Sequence, residues 1–271
     1  MRSFSFVTLA LTCVLAAPVA AQRGAQPNLV LTIFGGTVTG HSLWRIGKQP
    51  LTVLGTSQYD TLDLSRSVSS SLVLGAAATY FVSPHVGLHL EVSYLGLPVE
   101  SQCIGIYFHP DSSPTQDVHR NAQVCDDISA QAANGGAVTV FGGVTLRAAP
   151  RGALSPYARG NLGLVTLGHS TIEMAGAFAD GSGNVFVRQV LADPNAHRTT
   201  LMFGAAAGFT TPLSAGYQFR FELRDVVTSL DRLTGPANAL GIGPVSARAY
   251  HHIALILGFD VVLEQKRGRR Y

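Results

Sequence analysis

The residues with most chemistry to offer are charged side chains that recur at every second position. In Tyr217-Gln218-Phe219-Arg220-Phe221-Glu222-Leu223-Arg224-Asp225, the groups Gln218, Arg220, Glu222 and Arg224 share one parity and Tyr217, Phe219, Phe221 and Leu223 the other. His89 with Glu91, Arg147, Arg159 with Asn161, and His252 with Asp260 sit in similar alternating runs. On one side of a sheet such groups can form Arg–carboxylate pairs, relay protons or line a pore. A second candidate is His169-Ser170 with Glu173, the residue types of a nucleophile, base and acid. Adjacent strand residues point to opposite faces, however, so His169 and Ser170 are poorly placed for each other within a regular strand. Asp111 and Asp126-Asp127 lack the spacing of an EF-hand calcium loop, and no Cys/His pattern suggests zinc. The sequence therefore predicts no metal and no cofactor.

The elements that must position these side chains are strands, because side chains change face at each residue of a strand. Eight alternating segments are legible: Leu29–Gly40, Ser65–Val82, Val86–Leu97, Gly136–Arg147, Pro156–Leu167, Arg198–Thr211, Tyr217–Val227 and Ala249–Leu263. In the second, Leu72, Leu74, Ala76, Ala78, Tyr80 and Val82 share a face, and Leu62 and Leu64 extend the same parity upstream. In the eighth, Ile253, Leu255, Leu257, Phe259, Val261 and Leu263 do. The connections alternate long and short. Ser83-Pro84-His85 and Pro212–Gly216 are short, whereas the stretches holding both cysteines, running to about His197, and spanning Thr228–Val245 are long and polar. An even number of strands with alternating loop lengths predicts an all-β, eight-stranded antiparallel up-and-down transmembrane β-barrel, with short periplasmic turns and long external loops. A soluble periplasmic barrel is the competing reading, since its strands alternate too.

Composition agrees with the membrane reading. The chain is 46% hydrophobic and 13% charged, yet no segment after the leader is apolar for 18 residues. Its 29 glycines fall largely within strand-like runs, where a narrow barrel needs room for larger side chains opposite. Residues 1–21 read as a signal peptide: Arg2, an apolar run from Phe4 to Ala17, and Val19-Ala20-Ala21 before the cut. Residues 22–271 are then one barrel domain. Of three cysteines, Cys13 leaves with the leader, and Cys103 and Cys125 are expected to pair in an oxidising compartment. The net charge of +3 falls to +2 without Arg2, too weak to indicate nucleic acid. The Lys266–Arg270 tail is expected to be solvated near anionic lipid heads. Trp44, Tyr80, Tyr94, Tyr157 and Tyr217 are candidate interface aromatics.

The leader, the eight alternating strands, Arg220-Phe221-Glu222-Leu223-Arg224-Asp225 and Pro156-Tyr157-Ala158-Arg159-Gly160 together resemble the outer-membrane β-barrel superfamily, of the type of the OmpA membrane domain and OmpX. The resemblance covers nearly the whole mature chain through generic patterns. It implies a monomer in the outer membrane of the Gram-negative cell envelope. The implied partners are membrane lipid, lipopolysaccharide and the barrel assembly machinery. The terminal aromatic assembly signal is imperfect, since Phe259 is followed by a basic tail to Tyr271.

Within that frame His89, Glu91, Arg147, Arg159, Arg220, Glu222, Arg224 and Asp260 are expected to form an interior charge network that fills the lumen. The function expected is structural or surface-interacting, with no enzymatic activity. The alternatives are a narrow passage for small or hydrophobic solutes, as in OmpW-like relatives, or a lipid-modifying enzyme. The His-x-Ser pair of the deacylase type is absent.

Overall fold

The computed structural model describes residues 28–53, 58–107, 116–150, 152–168, 172–180, 182–192, 199–230 and 248–263. The expected leader and the basic tail lie outside them. The elements are β1 (Asn28–Val38), β2 (His41–Thr52), β3 (Tyr59–Val68), β4 (Ser71–Phe81), β5 (Val86–Ile106), α1 (Gln116–Ala130), β6 (Ala132–Arg147), β7 (Ser155–Leu167), β8 (Met174–Ala179), β9 (Val185–Leu191), β10 (Thr199–Ser214), β11 (Tyr217–Leu230) and β12 (Arg248–Leu263).

Eight strands close a ring in the order β1, β4, β5, β6, β7, β10, β11, β12, each antiparallel to the next. The seam that shuts it is β1 on β12, paired from Leu29↔Leu263 to Val38↔Ala254. Closure removes the sheet edges, which is what lets strands stand in lipid without unpaired backbone groups. Alternation sorts the side chains: Leu90 is 58% exposed beside Glu91 at 1%, and Leu223 is 53% exposed beside Glu222 at 0%. An outside of Leu, Val, Ile and Phe around a polar inside is the inverse of a soluble barrel. Replacing Leu90, near mid-belt, by Arg is expected to cost about 2–4 kcal/mol in lipid vesicles. Urea unfolding measures it, and a negligible cost would mean that this face stands in water.

Tight turns close one end. Ser214 pairs with Tyr217, and Gly216 takes a φ of +83° that only glycine adopts freely. Ser83 Oγ accepts from the Val86 amide at 3.1 Å. At the other end the strands overshoot the ring and carry a folded layer. The long β5 pairs with β4 over its first half and, from Val99 to Ile106, with β3, which itself pairs with β2.

The single expected strand Ser65–Val82 is therefore two. β3 and β4 lie end to end on one edge of β5 and part at Ser69-Ser70, opposite Pro98, which has no amide to donate. Inward residues are even-numbered in β3 and odd-numbered in β4, so Leu62 and Leu64 are buried while Leu72 and Leu74 face outward. A one-residue slip at the break changes the face of every side chain beyond it.

The stretch expected to be a polar loop contains α1. Its residues Asn121, Val124, Cys125 and Ile128 fall at helical spacing on one buried face. Val124, Cys125 and Ile128 join Leu51, Leu62, Leu64, Met174, Val190 and Leu191 in a core above the ring. The β8–β9 hairpin packs on this helix, and Gly176 permits close approach: a Cβ there would lie 2.3 Å from the Val124 carbonyl. Asp127 Oδ2 accepts from the Ala177 amide at 2.8 Å and Gln123 Oε1 from that of Ala179 at 2.9 Å, so side chains of the helix cover an otherwise open strand edge.

Candidate functional site: the charged band across the lumen

Parity puts Glu91 on β5, Arg159 on β7, Arg220, Glu222 and Arg224 on β11, and Asp260 on β12 inside the ring. Ring order places β5 and β11 four strands apart in either direction, on opposite walls. Their side chains nevertheless meet. Arg224 Nη1 and Nη2 donate to the two oxygens of Glu91 at 2.5 and 2.8 Å, while Nε donates to Glu222 Oε1 at 2.9 Å. One guanidinium thus spans the lumen in the forked geometry suited to carboxylates.

The contacts continue on both sides. Arg159 lies 3.5 Å from Glu91 and 3.3 Å from Glu222, with Nε donating to Thr145 Oγ1. Arg220 binds both oxygens of Asp260, through Nε at 3.1 and 3.2 Å and Nη2 at 2.8 Å. Tyr157 donates its hydroxyl to Glu222 Oε2 at 2.6 Å, and Thr32 donates to Asp260 Oδ1 at 2.7 Å. Three guanidinium groups and three carboxylates are therefore joined in one band, all nearly closed to solvent. His89 lies at its margin, 3.2 Å from Glu91 and 3.0 Å from Arg159, with Nδ1 at 2.9 Å from Thr79 Oγ1. Arg159 can donate to His89 Nε2 only when that nitrogen carries a lone pair.

Arg147 does not meet the band. It points inward but stands at the turn end of β6, where its guanidinium lies over Phe81 at 3.7 Å and Nε donates to the Pro84 carbonyl at 2.6 Å. Two aromatics assigned to the interface are also elsewhere. Tyr157 is in the lumen and Trp44 is buried in β2, whereas Tyr80, Tyr94 and Tyr217 do face outward.

Toward the loop end, the lumen above the band is apolar. Val38, Val73, Leu95, Val165, Met202 and Ile256 line it, and a small pocket lies among Leu43, Leu97, Leu167, Met202, Tyr250 and His252. Beside it His41 and His252 stand 4.6 Å apart, ring to ring. Further out, Arg188 donates to Asn121 at 2.8 Å and to Thr52, and Asn121 donates to Asp60 at 2.7 Å, tying β9, α1, β2 and β3 together. Burial pushes the Arg188 pKa down, and Asp60 opposes that shift.

Cys103 and Cys125 form a disulfide with Cα atoms 5.3 Å apart. His169 and Ser170 lie outside the described residues, and Glu173 accepts from Gln189. Among the described residues no group of three or more His, Cys, Asp or Glu is placed to hold a metal. None of the helices there is long and apolar enough to cross a membrane.

A closed antiparallel ring with an apolar belt outside and a charged band across its lumen is the architecture of an outer-membrane β-barrel, in which tight turns stand at the periplasmic end. No protein-family model and no curated protein matches the chain. Among solved structures it is similar to the outer membrane protein OprG from Pseudomonas aeruginosa, at 13% identity and a TM-score of 0.44, over 89% of this chain and 97% of that one. It is also similar to the outer membrane protein AlkL solved in lipid bilayers, at 15% identity and 0.42, over 94% and 99%. Neisserial surface protein A is similar at 10% identity and 0.40, over 88% and 99%. The architecture rests on the backbone pairings of the ring, and no residue role is carried over from these proteins.

Proposed function

We propose that this protein is a non-conducting outer-membrane barrel with a structural and surface-interacting role, in which a plugged ring displays a folded, disulfide-stapled external layer. The single observation supporting this is the Glu91–Arg224 contact between opposite walls, flanked by Arg159, Glu222, Arg220 and Asp260. A chain of paired charges that touches both walls leaves no aqueous path at that level. The same band gives the barrel rigidity, because each charge is held by several partners from different strands.

The alternative is a narrow passage for small or hydrophobic solutes, and it draws on the apolar pocket above the band. Planar-bilayer recordings of the refolded protein separate the two. The proposed role predicts no discrete openings. Reproducible unitary steps would overturn it and favour passage.

A further inference from the structure

We propose that the periplasmic mouth of the lumen is a binding site for a small oxyanion, with Arg147 as its principal cation. Each of Arg159, Arg220 and Arg224 has a carboxylate partner, but Arg147 has none within ion-pair distance among the described residues. A half-buried guanidinium without an anion is an incomplete arrangement, because its charge has lost water without gaining a counter-charge. Its position is nevertheless fixed. The stack on Phe81 and the Nε bond to Pro84 hold the plane from two sides and leave Nη1 and Nη2 uncommitted among the described residues.

Arg147 borders a small pocket that opens at this mouth. Thr145 on the same strand and Ser155, Thr210, Gln218 and Arg220 on three other strands, β7, β10 and β11, line it as well. Asp260 lines it as well and would repel an anion, but both its oxygens are bound by Arg220 and one also by Thr32. Arg220 and Asp260 thus offset each other, and the charged lining keeps a net +1 from Arg147. His85, at the same end, directs Nδ1 to the Arg147 carbonyl at 2.9 Å and adds no negative charge. A planar fork with hydroxyl and amide groups around it suits phosphate, sulfate or a carboxylate, which accept several donors at once. Because the lining residues face the lumen, the ligand is a free periplasmic solute, not the headgroup of a lipid outside the wall.

The test is titration of the refolded full chain with inorganic phosphate in a detergent without phosphate groups, at constant ionic strength, by calorimetry. Saturable binding is expected for the wild type. Arg147→Gln should weaken it at least about tenfold, equal to about 1.4 kcal/mol. Arg147→Lys, which keeps the charge but not the fork, should fall between them. Arg45→Gln, on the external surface, should bind as the wild type does. Heat-modifiable gel mobility reports whether each variant has folded. If Arg147→Gln does not fold, Thr210→Val, on another strand of the same pocket, should weaken binding instead. Absence of saturable binding by the wild type overturns the site, as does equal affinity in the folded pocket variants. The outcome is independent of conduction, because binding is read in micelles, and either role leaves this mouth open.

Discussion

Glu222→Ala is expected to destabilise the refolded barrel by about 3–5 kcal/mol, the usual cost of removing one partner from a buried ionic group. The carboxylate holds Tyr157 and Arg224 by hydrogen bonds and faces Arg159 and Arg220 as an ion. Without it, three guanidinium groups face two carboxylates in a closed lumen. Arginine cannot relieve that imbalance by losing a proton, so it must stay charged, draw in water or unpack. The measurement is the urea midpoint in lipid vesicles at constant slope. A double replacement, Glu222→Leu with Arg224→Leu, should cost less than the sum of the two single changes, since it removes one charge of each sign. A loss below about 1 kcal/mol for Glu222→Ala would mean that water already screens the band, and the plug reading would fall.

Much of this site can be read from alternation, because period two fixes which face a side chain takes. His89, Glu91, Arg159, Arg220, Glu222, Arg224 and Asp260 follow from parity alone. Tyr157 does as well: it shares the parity of Arg159, and its assignment to the interface put residue type above position. Parity does not give height along the barrel. Arg147 and Arg159 both point inward, but β6–β7 register pairs Arg159 with Thr145 and leaves Arg147 opposite Tyr157, nearer the turn. Register depends on turn geometry and on shear around the whole ring, which no single strand encodes.

The ring itself is legible because eight strands and alternating loop lengths reinforce one another. The external layer is less so, for two different reasons. α1 carries a readable signal in Asn121, Val124, Cys125 and Ile128, hidden by polar neighbours and by its placement between barrel strands. The Ser69-Ser70 break has almost none. Both flanking segments alternate well, and the reversal depends on what lies beside them: Pro98 on β5 and the layer that covers Leu62 and Leu64. Local pattern specifies a strand but not the surface that will cover it.

Removing the disulfide is expected to loosen the external layer by about 3 kcal/mol and to leave the ring intact. Cys103 and Cys125 are 22 residues apart, and the bond ties α1 to the far end of β5, beyond the ring. Cys103→Ser with Cys125→Ser would leave Ser129 accepting from the Cys103-position amide and donating to its carbonyl, so α1 keeps two attachments and opens more often without being lost. A shift of about 3 kcal/mol raises the open population roughly a hundredfold. Hydrogen exchange should quicken by that factor in α1 and the β8–β9 hairpin, while amides of β1, β4 and β12 keep their protection. The contrast follows from connectivity: the eight-strand ladder is complete without any residue of the layer, whereas the core around Val124 and Ile128 depends on α1 staying in place. If the β1–β12 seam lost protection in step with α1, ring and layer would be one cooperative unit, and the division into scaffold and displayed layer would be wrong.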